Sequence, residues 1–345
     1  EFHGRLKKSA LRPGDVVIVR TGKPGTCAVI PNDLPVANCS DLVIVRCGPE
    51  IRPRFLAYWV NAIASEHVAS HLVGAVQQHF NVGAAKKMPI VLPHIAEQDR
   101  ILSILGALDD KIELNRRMSA TLEEMARALY RSWFVDFDPV HARALGQPPA
   151  HMDAPTAALF PDSFGPDGLP NGWERRPIGT LIEDTIGGDW GKEAADEKHD
   201  TPIGIIRGTD FPGLSDGGKA GVPTRYSTRK KADRRSLRPF DIVLEVSGGS
   251  PKQPTGRTLL ITQAELDRFD EVMVPASFCR RLRPSSRPDA ILAYLHAQQL
   301  YIDGGTWSYQ NQSTGISNFQ TPRFLEEEAV VHPCDVVLSV FRCIT

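Results

Sequence analysis

The sequence lacks the closely spaced cysteines that a zinc site or a disulfide framework would need. Its six cysteines are scattered along the chain, and no two of them form a CxxC pair. They are Cys27, Cys39, Cys47, Cys279, Cys334 and Cys343. We therefore expect no metal site and no disulfide, and free thiols are typical of proteins in the reducing cytoplasm.

Long apolar runs and a strong charge of one sign are also missing. No apolar stretch approaches the roughly 18 residues of a membrane-spanning helix, so the sequence predicts no membrane contact. Lys and Arg number 40 against 41 Asp and Glu, which gives a net charge of −1. Bulk electrostatics therefore does not favour nucleic-acid binding, and any such binding must depend on local basic clusters.

Motifs for methyl transfer, ATP hydrolysis and DNA cleavage are absent as well. There is no Asn/Asp-Pro-Pro-aromatic loop to hold a flipped adenine. The segment Gly187–Lys192 does not have the spacing of a GxxxxGK[ST] phosphate-binding loop. Asp109, Asp110 and Lys111 lie in a helical pattern, where such charges usually face solvent rather than form a metal site. The sequence therefore predicts no catalytic residues, no metal and no cofactor.

The most regular pattern in the chain is a heptad repeat between Pro93 and Phe137. Apolar or small residues recur at alternating spacings of four and three, and two positions of the repeat are polar. The predicted helix-interface residues are Ile101, Leu105, Leu108, Ile112, Asn115, Leu122, Leu129 and Trp133. Such a repeat predicts a long helix packed lengthwise against another helix. Polar residues in the seam weaken that contact but can fix its register.

The regions on either side of this helix each mix strand and helix patterns, which predicts an α+β fold with two globular parts. We expect residues 1–92 to be the C-terminal part of a first globular domain. We expect a long spacer helix over 93–145, a Pro/Gly-rich linker over 146–169, a second globular domain over 170–328, and the start of a second long helix over 329–345.

The two globular regions also look like copies of one unit. The segment Leu11–Asp15 (LRPGD) matches Leu237–Asp241 (LRPFD), and three shorter matches follow in the same order. These are Leu56–Tyr58 with Leu292–Tyr294, Asn81 with Asn318, and Pro93 with Pro333. Each match is weak alone, but four in order predict a duplication. On this interpretation the first copy lacks its beginning and the second helix is cut short.

Together these features resemble the DNA-specificity subunit of type I restriction–modification systems, truncated at both ends. The motifs are Leu169–Trp173 (LPNGW), the two LRPxD segments, and the helix sequences AEQDRI, LDDKIELNRR and LEEMARALYRSWFVDF. The resemblance implies two target-recognition domains, separated by coiled-coil-type helices, that read the halves of a split site. It also implies double-stranded DNA, methyltransferase (modification) subunits and ATP-dependent restriction subunits as partners, without catalysis by this chain. A fragment of a fused restriction or modification enzyme that has lost its catalytic domain remains the alternative.

Residue types that suit DNA contacts are concentrated in a few segments. Basic residues in 221–240 could pair with phosphates, as could Arg280, Arg281, Arg283 and Arg287, although a solvated charged face is the ordinary alternative. The glycine-rich segment 246–257 and the polar segment 307–314 could bring amides and cations to base edges, although each could be a plain surface turn. The predicted DNA-binding residues are Arg20, Thr21, Lys23, Arg229, Lys230, Lys231, Ser247, Gly248, Gly249, Lys252, Gln253, Thr255, Arg257, Tyr309, Gln310 and Asn311.

Overall fold

The computed structural model describes residues 6–74, 79–219, 221–250, 253–313 and 316–344. Contacts divide the chain into two compact units, Glu1–Asn115 and Arg116–Thr345. Both units mix helices and strands, so the predicted α+β fold is confirmed. Among the described residues, no helix combines the length and the apolar character needed to cross a membrane.

The first unit is built on an antiparallel sheet of three strands in the order β2-β1-β3. The strands are β1 (Val16–Val19), β2 (Cys27–Val29) and β3 (Leu42–Val45). The helices are α1 (Pro53–Ala62), α2 (Ser65–Ser70) and α3 (Val82–Lys86), and a short 3-10 turn covers Lys7–Ser9. Strand β1 is β-branched throughout and largely buried, and its residues pack against the apolar face of α1 to form the core.

A helix of 40 residues, α4 (Ile95–Phe134), contains the predicted heptad repeat. Its first turns are fixed to the first unit by Gln98, whose side chain is fully buried. The Gln98 amide accepts a hydrogen bond from the Arg52 backbone N–H and donates to the carbonyls of Glu50 and Pro93, each at 2.9 Å. Arg52 also forms a bidentate ion pair with Asp99, in the next position of the helix. A buried amide satisfied in this way fixes the direction in which the helix leaves the unit.

The long helix ends earlier than the sequence predicted. It stops at Phe134, and a separate helix, α5 (Asp138–Ala144), follows. Phe137 adopts the left-handed conformation between them, with φ of 54°. Pro139 has no backbone N–H with which to continue the hydrogen bonding of α4, and it lies in the first turn of α5, where that N–H is not needed, so one continuous helix over 93–145 is not formed.

The described residues of the second unit form four small sheets. The strands are β4 (Glu174–Pro177), β5 (Ile182–Gly187), β6 (Thr201–Ile206), β7 (Thr224–Ser227), β8 (Ile242–Glu245), β9 (Ser247–Gly248), β10 (Thr258–Leu260), β11 (Val272–Pro275), β12 (Cys279–Pro284), β13 (Gln310–Ser313), β14 (Ile316–Phe319) and β15 (Ala329–His332). The sheet orders are β10-β8-β12-β5, β11-β6-β7, β13-β14-β9 and β15-β4. Only the pair β6–β11 is parallel among the strand pairs of the described residues.

Helices of the second unit are mostly short. They are α6 (Ala154–Ala157), α7 (Phe211–Ser215), α8 (Arg229–Arg235), α9 (Gln263–Leu266), α10 (Arg287–Ile302), α11 (Thr321–Glu327) and α12 (Asp335–Ile344). Short 3-10 segments cover Ile178–Leu181, Gly208–Asp210 and Gly305–Tyr309. The longest, α10, is capped by the Ser286 side chain, which accepts from the Asp289 backbone N–H, and buries most of its apolar residues.

The two LRPxD segments have the same local geometry, as the predicted duplication requires. Asp15 and Asp241 each accept a bond from the backbone N–H three residues earlier, at 2.9 and 2.8 Å. Gly14 and Phe240, at the matched position before them, both have positive φ, of 81° and 72°. In each unit the following strand lies between two antiparallel partners, β2 and β3 around β1, and β10 and β12 around β8. The LRPxD motif is therefore a tight turn that feeds a central strand.

Segment 146–169, predicted to be an extended linker, instead packs into the second unit. Phe160 and Leu169 are buried in the same apolar cluster as Trp173. Proline and glycine turn the chain in this segment but do not keep its apolar side chains out of the core. The tail also differs in part from prediction, because residues Ala329–His332 pair with β4 and the helix begins only at Asp335.

A buried polar network links helix α4 to the rest of the second unit. The Tyr130 hydroxyl lies 2.8 Å from His296 Nδ1, and His296 Nε2 lies 2.7 Å from Glu328 Oε1. The Tyr309 hydroxyl donates to the other Glu328 oxygen at 2.8 Å. Burial alone would raise the pKa of Glu328, but the hydrogen bonds from His296 and Tyr309 outweigh it and hold that pKa below its usual value.

Acid should therefore weaken the second unit partly through Glu328. A carboxylate whose pKa is lowered by folding contributes stability above its unfolded-state pKa, about 4.3, and loses it as pH falls through the folded-state value. The Glu328→Gln variant should show a smaller loss of unfolding free energy on acidification below that pH. Urea unfolding at a series of pH values tests this, with Glu326→Gln, an exposed neighbour, as the control. Equal pH dependence in wild type and Glu328→Gln would contradict it.

Candidate nucleic-acid interface

Two segments predicted to contact DNA lie side by side in one sheet, although more than 50 residues separate them. Strand β9 pairs with β14, and β14 pairs with β13, so Ser247 and Gly248 lie near Gln310 and Asn311. The Ser247 hydroxyl donates to the Asn318 side-chain oxygen at 2.5 Å. Gln310 Oε1 accepts from both the backbone N–H and the hydroxyl of Thr255, each at 3.1 Å. The hydrogen-bonded sheet thus joins the glycine-rich segment to the polar one.

This sheet and the loop that follows β9 present polar side chains and glycines, which we call the recognition surface. Gly249, Gln253, Asn311 and Asn318 are exposed, whereas Ser247, Gly248 and Gln310 are partly exposed. Sequence reasoning missed Asn318; its match to Asn81 in the repeat was the signal that could have found it. Lys252 lies outside the described residues. Exposed amides beside glycines are the groups that a base-reading surface needs, since glycine allows close approach and amides pair with base edges.

Three side chains that were predicted to bind DNA do not lie on this surface. Thr255 has no exposed surface, and Tyr309 is buried with its hydroxyl bonded to Glu328. Arg257 is held by Glu245 through two hydrogen bonds, from Nε at 2.9 Å and from a terminal nitrogen at 2.7 Å. The prediction that these residues contact DNA is therefore corrected, because their polar groups are already satisfied inside the unit.

The side chains of Glu245 and Arg257 are largely buried, and their ion pair affects the pKa values of nearby groups. The hydrogen bond with Glu245 raises the pKa of Arg257. Nearby, burial raises the pKa of the Cys279 thiol to about 12, with a further contribution from the Glu245 charge. The Glu245 carboxylate therefore contributes to both shifts, by its hydrogen bond to Arg257 and by its charge near Cys279.

The basic cluster on helix α8 remains exposed. Thr228 caps the helix by accepting from the Lys231 backbone N–H, and Ala232 buries the opposite face. Arg229, Lys230 and Lys231 are all exposed, and Arg229 forms an ion pair with Asp233 at 3.3 Å. The helix packs on β6 and β11 rather than forming part of the sheet that carries the recognition surface. These cations are accessible to an anionic partner.

Two arginines of the second basic cluster, Arg281 and Arg283, pair with groups inside the unit. Arg281 is buried, donates to the carbonyls of Arg234 and Ser236, and pairs with Asp184. Arg283 donates to both oxygens of Asp241 at 2.8 Å. A buried guanidinium is tolerated only with such partners, so neither of these two arginines is free for DNA.

The predicted DNA contacts of the first unit lie in a short turn. The Thr21 hydroxyl bonds Asp41 and lies 3.2 Å from His79 Nδ1. Arg20 is only partly exposed, whereas Lys23 is fully accessible between two glycines with positive φ, Gly22 and Gly25. Lys23 is therefore the best placed of the three for an intermolecular contact.

The predicted helix interface divides into an exposed part and a buried part. Leu105, Leu108, Ile112 and Leu122 are exposed, as is Asn115. Ile101 is partly buried, and Leu129 packs against the core of the second unit. Trp133 lies within that core, beside Phe160 and beside Phe341 of α12, the helix at the position of the predicted second spacer. The last turns of α4 are covered by the second unit itself.

Comparison with known proteins gives matches of one kind. Residues 1–124 match the family described as the type I restriction modification DNA specificity domain. The chain is 34% identical over 152 residues to the HindI type I restriction enzyme specificity subunit of Haemophilus influenzae, which covers 42% of this chain and 32% of that protein. It is 22% identical over 182 residues to the MjaIX specificity subunit of Methanocaldococcus jannaschii, covering 52% and 38%.

One of the similar solved structures is the S subunit of a type I restriction–modification system from M. genitalium. It is 14% identical, covers 96% of this chain and 75% of that one, and has a TM-score of 0.41. The chain spans about a third of the length of the curated relatives that it matches. The resemblance seen in the sequence is confirmed: residues 1–124 match the specificity-domain family, and the chain is similar to type I restriction enzyme specificity subunits over part of their length.

Proposed function

We propose that this chain is a non-catalytic DNA-binding specificity subunit of a type I restriction–modification complex. It reads duplex DNA and contributes to recognition of a bipartite site. The observation that carries the proposal is the recognition surface, where the exposed amides of Asn311 and Asn318 lie on one sheet with Gly248, and Gln253 is exposed in the loop after β9. Such a role belongs in the cytoplasm, where chromosomal DNA is accessible.

Base reading is assigned to the amide side chains of the recognition surface. Gln253, Asn311 and Asn318 are exposed, and Gln or Asn can form two hydrogen bonds to adenine in the major groove. Gly248 and Gly249 leave room for close approach of the backbone. Phosphate contacts are assigned to Arg229, Lys230 and Lys231 on α8 and, in the first unit, to Lys23, because such contacts need only exposed cations.

The exposed apolar part of the heptad repeat supports a scaffolding role. Leu105, Leu108 and Ile112 would remain in water unless another helix covered them. Heptad spacing fits a second long helix of the same subunit type, which would complete a coiled-coil spacer. We propose that methyltransferase (modification) subunits and ATP-dependent restriction subunits assemble on that spacer and on the adjacent domains.

Binding-site selection from random duplex DNA, with modification subunits present, tests the proposal. Gln253→Ala should relax the preference at one base pair and cost about 1–3 kcal/mol in binding, because one amide-to-base contact is lost. Lys230→Gln should instead weaken binding to all sequences alike and reduce the salt slope by about one, because it removes one phosphate contact.

Matched controls lie elsewhere in the chain. Gln263→Ala removes an exposed amide on α9, and Lys111→Gln removes an exposed lysine on α4. Both should leave the selected sequence and the salt slope unchanged. If Gln253→Ala and Asn311→Ala alter neither affinity nor preference, the recognition surface is not the base-reading site.

A further inference from the structure

The described residues of segment 246–256, which are 246–250 and 253–256, form what we call the recognition loop. The two ends of this loop meet at one ion pair. Glu245 precedes the loop and Arg257 follows it, and their side chains share two hydrogen bonds of 2.9 and 2.7 Å. Their backbones are also bonded, from Glu245 N–H to the Arg257 carbonyl at 2.9 Å. The Glu245 side chain is 7% exposed and that of Arg257 is 24% exposed. A largely buried, bidentate pair of this kind has one geometry and holds both ends of the loop to it.

Glycines enclose the Glu245 carboxylate from two directions. A Cβ atom at Gly208 would lie 2.3 Å from Glu245 Oε1, and one at Gly248 would lie 3.0 Å from the same atom. Gly248 belongs to the loop, but Gly208 follows β6 in a different sheet. The backbone at Gly208 therefore limits where the carboxylate can sit, and the carboxylate in turn fixes the guanidinium of Arg257.

The position of Gly208 is itself fixed. It lies in a 3-10 turn between Arg207 and Asp210, which form an ion pair through two hydrogen bonds of 2.9 and 2.8 Å. Asp210 also accepts from the Arg207 backbone N–H at 3.0 Å. The turn is thus rigid, and a side chain added at Gly208 would move Glu245 rather than be absorbed by the turn.

We propose that the Glu245–Arg257 ion pair acts as a clasp that determines the conformation of the recognition loop. Gly208 determines the geometry of this clasp, because its backbone limits the position of the Glu245 carboxylate. Arg257 is then a positioning residue, because the nitrogens that could fork onto a guanine are turned to Glu245. Specificity at this half-site depends on a glycine that does not touch DNA. This inference rests on the proposed function for its DNA consequences, but the clasp itself has a test without DNA.

Amide hydrogen exchange in the full chain tests the clasp directly. Val246 and Ser247 donate backbone bonds to the Phe278 carbonyl at 2.8 and 3.1 Å, so their exchange reports on the base of the loop. We expect exchange at these amides to be at least about tenfold faster in Glu245→Gln, Arg257→Met and Gly208→Ala, because the loop opens locally. Glu245→Gln keeps the shape of the side chain and guards against a variant that simply fails to fold.

Two control variants match the test variants in chemistry. Arg268→Met breaks another Arg–Glu pair, with Glu265, whose side chains are 23% and 14% exposed. Gly187→Ala adds a Cβ where no atom lies within 4 Å. Both should leave exchange at Val246 and Ser247 unchanged.

Site selection on the same variants separates positioning from reading. With the clasp broken, preference should fall at every base pair that the loop reads, in Gly208→Ala as in Arg257→Met. Loss confined to one base pair in Arg257→Met, or unchanged exchange in all three variants, would overturn the proposal. Faster exchange with unchanged preference would overturn the link to specificity. If the wild-type chain selects no sequence, the proposed function fails, and the exchange comparison alone still decides the clasp.

Discussion

The Phe134→Ala substitution should destabilise the second unit by about 3–5 kcal/mol. Phe134 is the last residue of α4 and is almost completely buried. Its ring contacts four others, with centroids 4.8 to 6.1 Å away, those of Tyr130, Trp133, Trp173 and Phe341. Removing the ring leaves a cavity that these large, mutually packed side chains cannot fill by small movements.

Tryptophan fluorescence during urea unfolding measures this effect. Trp59 is the only one of the five tryptophans in the first unit, so a Trp59→Phe background makes the signal report on the second unit. Met125→Ala, on the same helix but 61% exposed, is the control and should change stability by less than about 0.5 kcal/mol. A similar cost for the two variants would show that the aromatic cluster is not the core that joins α4 to this unit.

Replacing Asp241 with alanine should cost the second unit about 3–5 kcal/mol, because a buried ion pair loses one partner. Asp241 is 2% exposed and Arg283 is 17% exposed, so the abandoned guanidinium stays inside the unit. The Arg238 backbone N–H also loses its acceptor. Adding Arg283→Met to Asp241→Ala should recover part of the stability, since it removes the unpaired charge.

The duplication supplies the control for Asp241. Asp15 holds the same position in the first unit, but its partner Arg46 is 48% exposed and can be hydrated when the aspartate is lost. The Asp15→Ala variant should therefore cost the first unit roughly 1–3 kcal/mol, mainly for the unpaired Arg12 N–H. Trp59 fluorescence follows that unit. Equal losses of unfolding free energy in Asp15→Ala and Asp241→Ala would show that burial of the paired arginine does not determine the cost.

The sequence by itself determined the features that depend on local pattern. The heptad repeat predicted α4, since helical periodicity depends only on spacing along the chain. The LRPxD repeat predicted that the two regions are copies of one unit. Its geometry is local, because a proline, a positive-φ position and an acceptor aspartate act within three residues of one another. The same local patterns carried the family resemblance. They also identified the glycine-rich and polar segments, although not which of their side chains face outward.

Tertiary structure decided everything that depends on a partner distant in the chain. Arg257 and Arg281 look like free cations in sequence, and only folding brings Glu245 and Asp184 to them. Trp133 fits the heptad spacing, but only folding shows that Phe160 packs on it together with Phe341 of α12. Gly208 looks unremarkable in sequence and becomes decisive only against Glu245. Burial and pairing are set by contacts between residues far apart in the chain, and a local pattern carries no information about those contacts.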